Sequence, residues 1–318
     1  MTENTTVDKR VRISGGWNSK GGGAFVNSGT LTIAGGTITS SKAPEGGAIQ
    51  NNESAILNLA GGSLTGNEAT SYGGAILNRG TVNMSGGTIS GNTSRLNGGG
   101  IWTSGTVNLS GGTVTGNTAG SGQNGAGLYF SAGTVNLSGA PVVRENTPND
   151  LYLRSPMVLT AAGALTSGLN IGIASEVWPA EGQPLTVITG ITAYEGGVVC
   201  HKPMYPSVLY PDGTLRMIVR PTFGTPDFTL PEELSTIETG AFEGAALVTV
   251  VDAHNCTSIG PGAFGNCAGL TQILLPADCL IDSMAFDGCT GPVFVFAPAG
   301  GETEASCAAI PLCVFFGE

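Results

Sequence analysis

GGIWTSGTVNLSGGTVTGN, residues 99–117, is one copy of a unit that recurs before and after it. Upstream, residues 73–92 read GGAILNRGTVNMSGGTISGN, residues 46–67 read GGAIQNNESAILNLAGGSLTGN, and residues 22–39 read GGAFVNSGTLTIAGGTIT; residues 127–146 are a worn version. Self-similarity at a period of about 25 residues is the mark of a solenoid, in which each unit buries its apolar side against its neighbours. A one-off globular core does not produce such a pattern.

Within a unit, apolar and polar residues alternate in three short runs bounded by Gly, Ser or Asn, which reads as strands separated by turns. Aligned on the Gly pairs, the inward positions form columns: Phe25, Ile49, Ile76, Ile101 and Leu128; Leu31, Leu57, Val82, Val107 and Val135. Two further columns are Ile33, Leu59, Met84, Leu109 and Leu137, and Ile38, Leu64, Ile89, Val114 and Val142. Like side chains stacked at a strand spacing of about 4.8 Å predict a right-handed parallel β-helix with three strands per turn. Asn67, Asn92, Asn117 and Asn146 recur at the end of the third strand, where their amides can hydrogen-bond along the axis. These Asn residues and the Gly pairs are turn residues first, so neither implies a ligand.

The chain has 318 residues, 52 of them Gly, and its net charge is −11. That balance argues against nucleic acid and anionic membranes as partners, since both demand a basic footprint. No apolar run is long enough to cross a membrane. The opening MTENTTVDKRVRISGG lacks the order of a secretory signal, and no wall anchor is visible. Val7 to Ile13 reads as an incomplete first turn. Past Asn146, DLYL, MVLTAAGAL and LNIGIASEVWP read as degenerate turns, with strands at Leu185 to Thr189, Gly197 to Cys200 and Thr214 to Val219 closing the stack. Prolines at 203, 206, 211, 221, 226 and 231 mark a boundary, giving a β-helix with its caps over residues 1–220 and a second module over 221–318.

In that module Ile237, Ile259 and Ile281, and likewise Phe242, Phe264 and Phe286, recur every 22 residues. The segments LSTIETGAFEGAALVTV, CTSIGPGAFGNCAGLTQILLP and CLIDSMAFDGCTGPVFVF resemble the BspA-type leucine-rich repeat, and APAGGETEASCAAIPLCVFFGE resembles the helix and strand that end such modules. The first half resembles Gly-rich β-helix repeats found beside those modules in surface proteins of gut and oral bacteria. The resemblance implies an all-β solenoid of two kinds of repeat, placed outside the cell or on its surface.

The chemistry available is thin. Glu45, Glu53, Glu68 and Glu145 fall in different columns and read as solvated loop carboxylates, although Glu45 and Glu68 open adjacent turns and could approach each other. No Asp lies between Asp8 and Asp150, which removes a calcium roll. The seven Cys contain no C-x-x-C pair, so metal binding is not expected, and their odd number without a regular framework reads as reduced core thiols, Cys307 and Cys313 being the pair most able to bridge. No cofactor is expected. Thr-x-Thr triplets such as Thr113-Val114-Thr115 form outward hydroxyl rows, an arrangement shared with ice-binding β-helices but expected of any half-buried strand.

What stands out is aromatic. Trp102 and Tyr129 occupy outward positions of adjacent first strands, and should stack face to face with the loops around Tyr72 and Arg95 beside them. The reading is a non-enzymatic adhesion or recognition solenoid that binds a host or neighbouring-cell protein or glycan. The alternative is a fragment of a carbohydrate-active β-helix enzyme.

Overall fold

The computed structural model describes residues 5–7, 12–179, 185–193, 197–201, 207–209, 213–217, 226–232 and 235–317. The proposed boundary at 220/221, most of the proline cluster and part of the Val7 to Ile13 stretch lie outside them. The chain divides into two compact units, residues 1–207 with 213–219 and residues 208–212 with 220–318.

The first unit is a parallel β-helix. Its first-strand column runs Phe25–Asn27, Ile49–Asn51, Ile76–Asn78, Ile101–Thr103, Leu128–Phe130 and Leu151–Leu153, each pairing in parallel with the next. The second column runs from Thr30–Ile33 through Ile56–Leu59, Thr81–Met84, Thr106–Leu109 and Thr134–Gly139 to Leu159–Leu165 and Leu185–Thr189. The third holds Arg12–Ser14, Thr37–Thr39, Ser63–Thr65, Thr88–Ser90, Thr113–Thr115 and Val142–Arg144. Like residues meet like because register is fixed by the buried face: a slip of one would turn every Ile and Val outward.

Three of the regular turns also carry a fourth, two-residue strand that the sequence does not announce, Lys42–Ala43, Glu68–Ala69 and Thr93–Ser94, paired in parallel and continued by single bridges at Thr118 and Thr147. Two residues cannot display an alternation, but Ala43, Ala69 and Ser94 are buried there. The expected columns are buried with two exceptions. Phe25 is only half-buried in its turn, and Val142 faces outward as the partner of Thr113, leaving Val143 to continue the column from Val114. The segment Pro141-Val142-Val143-Arg144 offers two valines in succession, so only pairing decides between them.

Near the far end the geometry changes. The longer strand Asn170–Ser175 pairs with both Val142–Arg144 and Leu151–Leu153, so it merges the third and first columns and has no corner between them. Val198–Cys200 then pairs with it in parallel, and Leu215–Met217 pairs antiparallel to Leu185–Thr189, departing from the parallel pattern of the stack. At the opposite end Thr5–Val7 extends the second column in parallel with Thr30–Ile33.

The second unit holds five parallel strands, Phe228–Thr229, Val250–Asp252, Gln272–Leu274, Val293–Ala297 and Cys313–Gly317. A short sheet, Thr236–Ile237, Ser258–Ile259 and Leu280–Ile281, carries the repeating Ile. Between the sheets the rings of Phe242, Phe264 and Phe286 stack with centroids 5.1 and 5.8 Å apart. Buried Cys267 and Cys289 donate their thiols to the carbonyls of Phe242 and Phe264, one turn back, so this column bonds between turns as well as filling space. Cys256 and Cys279 interact thiol to thiol, which lowers Cys256 to about 7 and raises Cys279. The helix Glu302–Ala308 is tied to the last strand by a Cys307–Cys313 disulfide.

Candidate interaction surface

The outward phase of the first-strand column reads Val26, Gln50, Leu77, Trp102, Tyr129 and Tyr152 in successive turns. Trp102 and Tyr129 are register partners, as the sequence suggests, but their rings pair elsewhere. The indole of Trp102 tilts over Tyr72 at 5.6 Å, and Tyr129 stacks on Tyr152 at 5.4 Å with planes 8° apart. Two rings of one shape, held at the strand spacing, stack flat; the larger indole leans toward the loop ring of an earlier turn instead. Arg95 stands exposed after Thr93–Ser94 and takes no part in these ring contacts. Burial raises the phenols of Tyr129 and Tyr152, assisted by Glu176 and opposed by Arg154, so those two charges border the pair.

Tyr152 is the residue missed from sequence. Aligning Leu128-Tyr129-Phe130 with Leu151-Tyr152-Leu153 would have extended the column, but the shortened spacing hides the match.

A buried polar ladder leads to the same end of the helix. Asn67, Asn92, Asn117 and Asn146 each pass a side-chain N–H to the Oδ1 of the next, at 2.9 Å for the three steps between them. Each Oδ1 from Asn92 onward also accepts the backbone N–H of the preceding Asn. The left-handed backbone belongs to the residue before each Asn, Gly66, Gly91, Gly116 and Glu145, all with φ of 61° or 62°. The row ends on a carboxylate: Asp150 Oδ1 accepts the backbone N–H and the side-chain N–H of Asn146 at 2.8 and 3.0 Å. An Asn cannot supply this rung because the following turn has lost its corner. In its place lies Gly172, where a Cβ would come within 2.1 Å of Asp150 Oδ2.

Asp150 Oδ2 faces His201 Nε2 at 2.9 Å and Arg144 Nη1 at 3.6 Å. The same Nε2 lies 2.8 Å from the Asp150 backbone nitrogen, and according to the tautomer it either donates to Oδ2 or accepts that N–H. Burial raises this carboxyl, but the hydrogen bonds from His201 and Asn146 outweigh it and hold the group below 3.8. A carboxyl depressed by folding stabilises the fold above its unfolded value and loses that contribution as pH falls through the folded one. In the acid range the melting-temperature gap between wild type and Asp150→Asn is therefore expected to narrow as pH falls below about 3.8. Thermal melts from about pH 4.5 to pH 2.5 check this, and a gap that widens over that range would contradict it.

Beside this cluster opens a cleft of about 330 Å³ whose lining includes Tyr152, Trp178, Glu176, His201, Asn124 and Asn149. Glu176 is the acidic residue of that lining, since Asp150 is spent beneath it.

The other carboxylates weighed from sequence do not come together. Glu45 pairs with Arg79 at 2.8 Å and Glu68 with Lys42 at 2.7 Å, each held by its own cation. The hydroxyl rows are in register over four turns, from Thr37 and Thr39 to Thr113 and Thr115, and then give way to Val142 and Arg144. Among the described residues no cluster of His, Cys, Asp and Glu could hold a metal ion, and no helix is long and apolar enough to cross a membrane.

Stacked turns, an extended outer surface and in-register aromatic residues define the class: a solenoid repeat protein of the kind that serves interaction. Residues 222–298 match the family described as the BspA type Leucine rich repeat region, in 6 copies. That match covers less than half of the chain. No curated protein and no solved structure matches it.

Proposed function

We propose that this is a non-catalytic recognition protein, secreted or held at a cell surface, that binds a protein or glycan partner along the outer face of its β-helix. One observation carries the reading: Trp102, Tyr129 and Tyr152 stand in successive turns of one outward column, half-buried, with Tyr72 against the first of them. Aromatic rings held rigidly at a surface give large contact area at little entropic cost, and such residues dominate interface energetics. The repeat class supports the absence of catalysis, as does the separate pairing of Glu45 and Glu68.

A glycan array and pull-down from host-cell extracts supply the partner. Trp102→Ala is then expected to weaken binding by about 1 to 3 kcal/mol with little change in melting temperature. A large loss of stability with unaltered binding would make the column scaffold. Leu77, directly beside Trp102 in the outward column, is fully buried, so this second outcome has a physical basis and the experiment is a real choice.

A further inference from the structure

We propose that the cleft between Tyr152 and Trp178 is a binding site for a neutral pyranose, the end or a branch of a glycan chain. This rests on the recognition reading above and names the chemistry of its partner.

The cleft is built, not incidental. The merged strand Asn170–Ser175 removes a corner from the solenoid, and the space it leaves is bordered by the corner of the preceding turn, residues 145–150. Beneath it, Asp150 fixes His201 through Oδ2, and the missing Cβ of Gly172 gives that pair room. The polar groups along one side are held in place as well. Asn149 accepts the N–H of Gly125 and donates to Asn124 Oδ1 at 3.1 Å, which leaves the Asn124 side-chain N–H groups to donate outward. Glu176 takes the N–H of Ser155 on Oε2 at 2.9 Å, leaving Oε1 as an acceptor. Tyr152 is immobilised by its stack on Tyr129.

A stacked tyrosine and an indole lining one cleft beside fixed amides and a carboxylate suit a ligand with apolar ring C–H faces and a rim of hydroxyls. Ligand sites in general combine aromatic walls with a few placed polar groups, and about 330 Å³ lies at the small end of their range of roughly 300–1,000 Å³. A lipid or aromatic ligand would leave the amides and Glu176 unpaired, at a cost. An acidic sugar would meet Glu176 directly in a protein of net charge −11.

The test uses the full chain and the methyl glycosides of glucose, galactose, mannose and N-acetylglucosamine, with those of glucuronic and sialic acid for comparison. Saturation-transfer NMR and calorimetry are expected to find at least one neutral glycoside bound, and at least tenfold tighter than either acidic one. Trp178→Ala and Glu176→Gln should each weaken that binding tenfold or more; Trp178→Phe, as a safeguard on folding, should retain most of it. Preference for an acidic glycoside, or binding indifferent to Trp178→Ala in a folded variant, would overturn the inference. So would the absence of any glycoside binding. If a pulled-down partner still depends on Trp102 in that last case, recognition stands and only the sugar cleft falls.

Discussion

Asn92→Leu is expected to destabilise the β-helix by about 3 to 5 kcal/mol, although the side chains are close in size. The position is fully buried, and its amide makes five bonds. Oδ1 accepts the backbone N–H and the side-chain N–H of Asn67, both at 2.9 Å. Nδ2 donates to Asn117 Oδ1 and to the carbonyls of Leu64 and Ser90. Some of these partners keep a second bond: Asn67 Nδ2 still reaches the carbonyl of Ile38, and Asn117 Oδ1 still accepts the backbone N–H of Asn92. The Asn67 N–H and the Leu64 carbonyl lose the amide partner seen here, and each buried polar group left unsatisfied costs about 1 to 3 kcal/mol. Leu repays little, because its methyls would face backbone dipoles. The outer ladder supplies the control. Asn83 donates to Asn58 and accepts from Asn108, but it is only half-buried, so Asn83→Leu should cost less than about 1 kcal/mol where water can replace the amide. Urea titrations of the two variants decide the matter; equal losses would mean that the buried ladder has no special role.

How much of this was legible depends on periodicity. The apolar columns, the Asn column and the change to a repeat of 22 follow from spacing and residue type, and the structure contains them; the Cys307–Cys313 bridge does not follow, since seven Cys without a regular framework read as reduced thiols and only the fold brings that pair together. What escaped was whatever broke the period. Tyr152 belongs to the aromatic column but arrives early, after a shortened corner. Asp150 continues the Asn ladder from only four residues beyond Asn146, and its role depends on His201, which is distant in sequence. Such a residue is set by what the next turn lacks, and no alignment of repeats displays a missing corner. Val143 shows a milder form of the same limit: adjacent valines are equivalent to a pattern, and only pairing with Val114 assigns the inward one.

In the second unit the largest effect is expected at Phe264. Its ring is fully buried and lies between Phe242, nearly parallel at 4°, and Phe286, at 21°. Phe264→Ala opens a cavity in the middle of a three-ring column, where backbone pairing on both sides resists collapse: the Phe242 N–H donates to Ala263 and the Phe264 N–H to Ala285. Large-to-small changes at such sites cost about 3 to 5 kcal/mol, and each lost ring pair adds roughly 0.5 to 1.5 kcal/mol. In a solenoid the damage should spread to neighbours, because each turn is stabilised only by the next. Hydrogen exchange of the amides from Ala241 to Cys289 is therefore expected to accelerate together, ahead of those in the strand Cys313–Gly317, which the disulfide and the helix also hold. Phe264→Leu, which fills most of the volume without stacking, should lose less. A loss below about 1 kcal/mol for Phe264→Ala would show that the turns relax into the cavity, and that the ring column only accompanies the stability of the sheet pairing.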